Sequence, residues 1–94
     1  MLALTQTAAG AIEAMLDQAA HAQGLRISTT RRRDGRRLFK LGLAEAPGAG
    51  DQVLEAGEAR VFLEPLAAAA LEDKLLDAEP RPEGVSFLVL EQQP

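Results

Sequence analysis

The chain has 94 residues, a net charge of −4 and no cysteine, with 47% apolar and only 3% aromatic residues. Residues 1–94 are read as one domain, which at this size buries roughly 60–65% of its unfolded surface. The missing thiols exclude disulfides, cysteine nucleophiles, Cys-ligated zinc and any self-contained Cys-ligated iron–sulfur cluster. Phe39, Phe62 and Phe87 are the only aromatics, so the core has to be built from Leu, Val, Ile and Ala. The opening Met1-Leu2-Ala3-Leu4-Thr5-Gln6 lacks the basic start and apolar run of a signal peptide, and no stretch reaches 18 apolar residues. A cytoplasmic protein with no membrane contact is the expectation.

In chain order, Leu2-Ala3-Leu4 reads as a short strand, and Thr5 as the N-cap of a helix over about residues 6–22. Ala8, Ile12, Met15, Leu16 and Ala19 fall on one apolar face of that helix. Gly10 weakens it, which points to close packing there, and Gly24 ends it. Leu25, Ile27 and Thr29 alternate with polar residues, as do Phe39, Leu41 and Leu43, so residues 25–43 form a hairpin with one buried face. Asp34-Gly35 supplies its turn, read as a two-residue primed turn.

Glu45 to Gln52 is a Pro- and Gly-rich loop without the Lys-Ser/Thr of a phosphate-binding loop. Val53-Leu54-Glu55 and Arg60-Val61-Phe62-Leu63 make a second hairpin around Ala56-Gly57-Glu58. Pro65 starts a helix that carries Ala67, Leu71 and Leu75 and ends near Asp73. Leu75 to Glu79 is a further strand, stopped by Pro80 and Pro82. Val85 to Leu90, apolar on nearly both faces, reads as a central strand covered on both sides.

This order resembles the A-type iron–sulfur cluster carrier family (HesB/IscA-like). Leu2-Ala3-Leu4-Thr5 before an Ala-rich helix resembles the family's opening, and Gly24-Leu25-Arg26-Ile27 its Gly-Leu-Arg-Val strand. Glu45-Ala46-Pro47 with Gly50-Asp51-Gln52-Val53 resembles its acidic-Pro and Gly-Asp loop. Val61-Phe62-Leu63-Glu64-Pro65 looks like its Val-Asp-Pro helix entry, and Leu76-Asp77 with Val85-Ser86-Phe87 its closing strands. The resemblance spans residues 2–90 and implies an α+β fold: small curved, sandwich-like mixed sheets with two packed helices. It also implies where the family's first cysteine would stand, and Asp34 occupies that position. The neighbouring glycines are replaced by Arg31, Arg32 and Arg33, and the chain runs out at Gln92-Gln93-Pro94 before a Cys-Gly-Cys pair. A lone hard carboxylate does not replace three soft thiolates. The expectation is therefore a non-catalytic, cofactor-free accessory working through protein contacts. The family's self-association and the apolar last strand add the expectation of a homodimer, since an exposed edge at 85–90 invites pairing.

Two other chemistries stay open. Residues 1–37 carry a balance of +3 and residues 38–94 one of −7, and Arg31, Arg32, Arg33, Arg36 and Arg37 hold five of the ten basic residues. Arginine forks suit a phosphate-bearing or acidic partner. With no aromatics between them to stack bases, nucleic acid is a poor fit. Glu13, Asp17 and His21, spaced i, i+4, i+8, have credible metal-ligand spacing on one helix face, with Asp34 as a further carboxylate, although plain solvated polarity is the usual explanation of such a trio. No nucleophile elbow or paired acid–base carboxylates appear, so no enzyme is expected.

Overall fold

The computed structural model describes residues 1–92. The elements are β1 (Ala3–Leu4), α1 (Gln6–Asp17), β2 (Gly24–Arg31), β3 (Arg37–Ala44), β4 (Gln52–Ala56), β5 (Ala59–Leu63), α2 (Pro65–Ala70), β6 (Lys74–Arg81) and β7 (Gly84–Glu91). They form two mixed sheets, one ordered β1-β6-β7 and the other β3-β2-β5-β4. In the first, β1 runs parallel to β6 and β7 antiparallel to it. In the second, β2 and β5 are parallel and each has an antiparallel hairpin partner outside it. The sandwich-like α+β architecture with two helices is the one expected.

The alternating strands meet in the middle. Leu25, Ile27, Val61 and Leu63 from the larger sheet pack with Leu76 from the smaller one, with Leu2, Ile12, Ala59, Ala67 and Leu71 completing the core. Thr5 caps α1 by accepting from the N–H of Ala8 at 3.0 Å. The same residue ties the helix to β6, since its N–H donates to the Leu76 carbonyl and its hydroxyl donates to Asp77 at 2.7 Å. Pro65 is in the first turn of α2, where its missing N–H is harmless.

Several local expectations change. Helix α1 stops at Asp17 instead of continuing to residue 22. Gln18, Ala19 and Ala22 make tight turns from there, and the Gln23 N–H is taken by the Ala44 carbonyl, which pulls the chain into the sheet. Gly24 opens β2 instead of ending the helix. A Cβ there would come within 2.8 Å of the Phe62 ring, so the strand needs glycine for room. Helix α2 is also shorter, ending at Ala70.

Strand β6 continues through Pro80 to Arg81. It can do so because β1 covers β6 only at Leu75 and Leu76 and leaves the rest of that edge open. Strand β7, expected at the centre of a sheet, lies at its edge. Its apolar residues on both faces are largely uncovered, Leu88, Val89 and Leu90 being 40–44% exposed.

Gly10 faces solvent, and nothing stands within 4 Å of a Cβ added to it. The expectation of close packing therefore fails, and only the helix penalty remains. Gly10→Ala should stabilise the protein by about 0.5–1 kcal/mol, seen as a higher urea midpoint at unchanged slope.

Candidate functional site

The arginine hairpin is a three-residue loop, not a two-residue turn. Beyond the last ladder pair, Arg31 and Arg37, the Arg32 N–H donates to the Arg36 carbonyl and closes a loop of residues 33–35, and the Gly35 N–H donates to the Arg32 carbonyl. Gly35 takes the left-handed conformation with φ of 86°, while Asp34 keeps an ordinary negative φ. This is a type I turn followed by a glycine bulge, the usual way to close a three-residue loop. Asp34 belongs to the turn itself. Its Oδ1 accepts from the Arg36 N–H at 3.0 Å, and its Oδ2 lies 3.8 Å from Arg32 Nε and 3.9 Å from Arg36 Nε. These ion pairs are long and exposed, so they add little stability.

Arg31, Arg32, Arg33, Arg36 and Arg37 all stand in solvent at this tip. Only Asp34 offsets them locally. Arg31 and Arg37 are direct cross-strand partners and so project from the same face. Like charges placed opposite each other are destabilising, and nothing within the hairpin relieves this pair.

The helical trio does not assemble. His21 lies beyond the end of α1, so it shares no helix face with Glu13 and Asp17. The Glu13 carboxylate instead accepts from the Glu58 N–H at 3.0 Å and pins the turn between β4 and β5. Among the described residues, no three His, Asp or Glu side chains are grouped as metal ligands.

Two features were missed in the sequence. The first is a clamp on the outer face of β2. Arg26 donates from Nε and Nη2 to the two carboxylate oxygens of Asp51, at 2.8 and 3.1 Å, and the Gly48 N–H adds a bond of 2.8 Å to Oδ2. The Asp51 side chain is fully enclosed, with 0% exposure, whereas Arg26 keeps 34%. The Arg26 hydrogen bonds hold the Asp51 carboxyl below the usual carboxylate range, against the opposing effect of burial and with help from Gly48. The Leu-Arg-Ile strand and the Gly-Asp loop, separate in the sequence, are thus one ion pair that seats the loop on the sheet. An Arg and an Asp in two motif fragments were the available signal.

The second is a groove of about 270 Å³ between the sheets, lined by Ile27, Phe39, Leu41, Leu71, Leu76, Phe87 and Val89. It opens between β3 and β7, each of which has an unpaired edge. Phe39, Leu41 and Leu43 point to the core side but remain 37–41% exposed, because nothing covers them. Their alternation reads as buried strand, so the opening has no local signature among these residues.

Paired mixed sheets of this order, with one helix after the first strand and a Pro-started helix before the last hairpin, define the fold of the A-type iron–sulfur carriers. Several solved structures share it. Escherichia coli SufA, involved in biosynthesis of iron–sulfur clusters, superposes with a TM-score of 0.84 at 18% identity, covering 99% of this chain and 82% of SufA. IscA with the 2Fe-2S cluster gives 0.76 at 21% identity, over 97% of this chain and 85% of that one. A protein from Aquifex aeolicus solved by NMR gives 0.75 at 19%, over 99% and 91%. No family model and no curated relative matches by sequence. The likeness is one of fold, and this chain carries it without a single cysteine. No helix among the described residues is long and apolar enough to cross a membrane.

Proposed function

We propose that this protein is a non-catalytic, thiol-free accessory of iron–sulfur cluster assembly, acting in the cytoplasm by protein contact, with its arginine hairpin gripping an acidic partner. The observation that carries this reading is the opposed pair Arg31 and Arg37, flanked by Arg32, Arg33 and Arg36 with one carboxylate among them. A carboxylate seated between the pair turns a repulsion into charge-assisted, fork-shaped hydrogen bonds. Asp34, at the position where the family resemblance implies a thiol, serves here to shape the turn that presents these arginines. Oxygen is a poor substitute for thiolate toward iron–sulfur clusters, which supports contact rather than carriage.

Titration of a fluorescein-labelled oligoglutamate, followed by anisotropy, tests the reading. Binding should weaken steeply with salt. Changing all five arginines to serine should lower affinity at least about tenfold, the equivalent of 1.4 kcal/mol. Arg31→Ser with Arg37→Ser should account for most of that loss. These side chains are exposed, so the fold should be unaffected. Equal binding by the five-serine variant would overturn the proposal.

A further inference from the structure

The groove between the sheets is hydrocarbon along its whole length. Its floor is Ile27, Leu71 and Leu76, all buried, and its exposed walls are Phe39 and Leu41 on β3 and Val89 on β7. No polar side chain lines it. Water held in such a slot lacks the two to four polar partners it needs, so an apolar occupant displaces it readily.

The groove face of the larger sheet continues past this slot into charge. On β3 the alternation that presents Leu41 and Phe39 presents Arg37 next. On β2 the step beyond Ile27 is Thr29, and the step after that is Arg31, the cross-strand partner of Arg37. Thr29 has already given its hydroxyl to Glu64, at 3.2 Å. Among the described residues neither Arg31 nor Arg37 is in an ion pair. On the smaller sheet the step beyond Leu76 and Val89 is Lys74 and Glu91, which neutralise each other at 2.6 Å. Even with Glu64 counted against the two arginines, one positive charge is left unmatched in line with the slot.

We infer that the groove and the Arg31–Arg37 pair together bind a free, single-chain fatty carboxylate. Its tail lies along Phe39, Leu41 and Val89, and its head accepts from the two guanidinium groups. The dimensions select the length of the chain. From Leu41 to Arg37 is about 14 Å along the strand, which an extended chain of about ten carbons spans. A methylene takes about 30 Å³, the share of one water in the liquid, so the 270 Å³ of the groove holds about nine. Length and volume agree on one medium-length chain and leave no room for the second tail of a diacyl lipid. The same carboxylate relieves the repulsion between the opposed arginines, so head and tail each meet a need of the fold.

The inference shares Arg31 and Arg37 with the acidic-partner reading and adds the groove, which separates the two experimentally. Calorimetric titration of the full chain with sodium decanoate, kept below micelle formation, should show one site with a dissociation constant of roughly 10–100 µM. Octanoate should bind about tenfold more weakly, because two fewer methylenes are buried. Arg31→Ser with Arg37→Ser should weaken decanoate at least about tenfold and leave uncharged decanol unchanged. Val89→Trp fills the slot from an exposed position; with an unchanged circular dichroism spectrum, it should abolish decanoate binding and leave oligoglutamate binding intact. Oligoglutamate binding with no heat from decanoate would overturn this inference and spare the acidic-partner reading. Decanoate binding with no response to oligoglutamate would do the reverse. Decanoate binding that both variants retain, or that ignores chain length, overturns the inference. So does a groove taken by a second copy, seen in sedimentation as a dimer that decanoate does not dissociate.

Discussion

Replacing Asp51 with asparagine should lower stability by about 1–2 kcal/mol at neutral pH and flatten the protein's response to acid. The change keeps the shape of the side chain but removes its charge from an enclosed position where Arg26 and the Gly48 N–H both donate to it. Breaking a wholly buried pair costs more, about 3–5 kcal/mol, and Arg26 keeps access to water, which moderates the loss. The sign with pH follows from the depressed carboxyl. Its contribution is full above the unfolded value of about 3.9 and disappears as pH falls through the lower folded value. Asp77, lowered by the Thr5 hydroxyl and the Ala78 N–H, works in the same direction. Urea melts from neutral pH downward should show wild-type stability falling below about pH 4. Asp51→Asn should start lower and fall less, and parallel curves would show that the clamp is not the source.

Leu63→Ala should have the largest effect of any single truncation considered, about 3–4 kcal/mol. Leu63 has 0% exposure and sits on β5, paired to Ile27 on one side and Gln52 on the other. Neighbouring strands hold the backbone on both sides, so the space left by the side chain cannot collapse. A domain of this size has only about 5–15 kcal/mol in total, and the melting temperature should drop by more than about 12 °C. Val53→Ala, on the exposed side of the same sheet, should stay within about 0.5 kcal/mol. Equal losses at the two positions would contradict the placement of the core.

What was legible in the sequence was what is local. The alternation of Leu25, Ile27 and Thr29, the Thr5 cap and the Pro65 start each depend on neighbours within a few residues, and each appears where expected. The end of α1 has no local signal, because Ala19 and Ala22 suit a helix while the bond that draws the chain away comes from Ala44, far along the chain. Strand β7 reads as central because a strand apolar on both faces usually has both covered, and only the sheet order reveals its open edge. Of the candidate site, the arginine cluster was visible as composition, but the opposition of Arg31 to Arg37 is a matter of register. The grouping of Glu13, Asp17 and His21 required a helix four residues longer than the one that forms.

The parallel pairing of β1 with β6 has a consequence for how the protein is made. Thr5 is held by Leu76 and Asp77, and 72 positions separate it from the residue that accepts its hydroxyl. Strand β1 and Thr5 therefore have no place to dock until β6 has been synthesised. The hairpin of β2 and β3 can close early, because its partners are close in sequence. Strand β1 and the capped start of α1 must wait for β6. Contacts of such long span are slow to form, and folding should be limited by the arrival of β6 rather than by either hairpin.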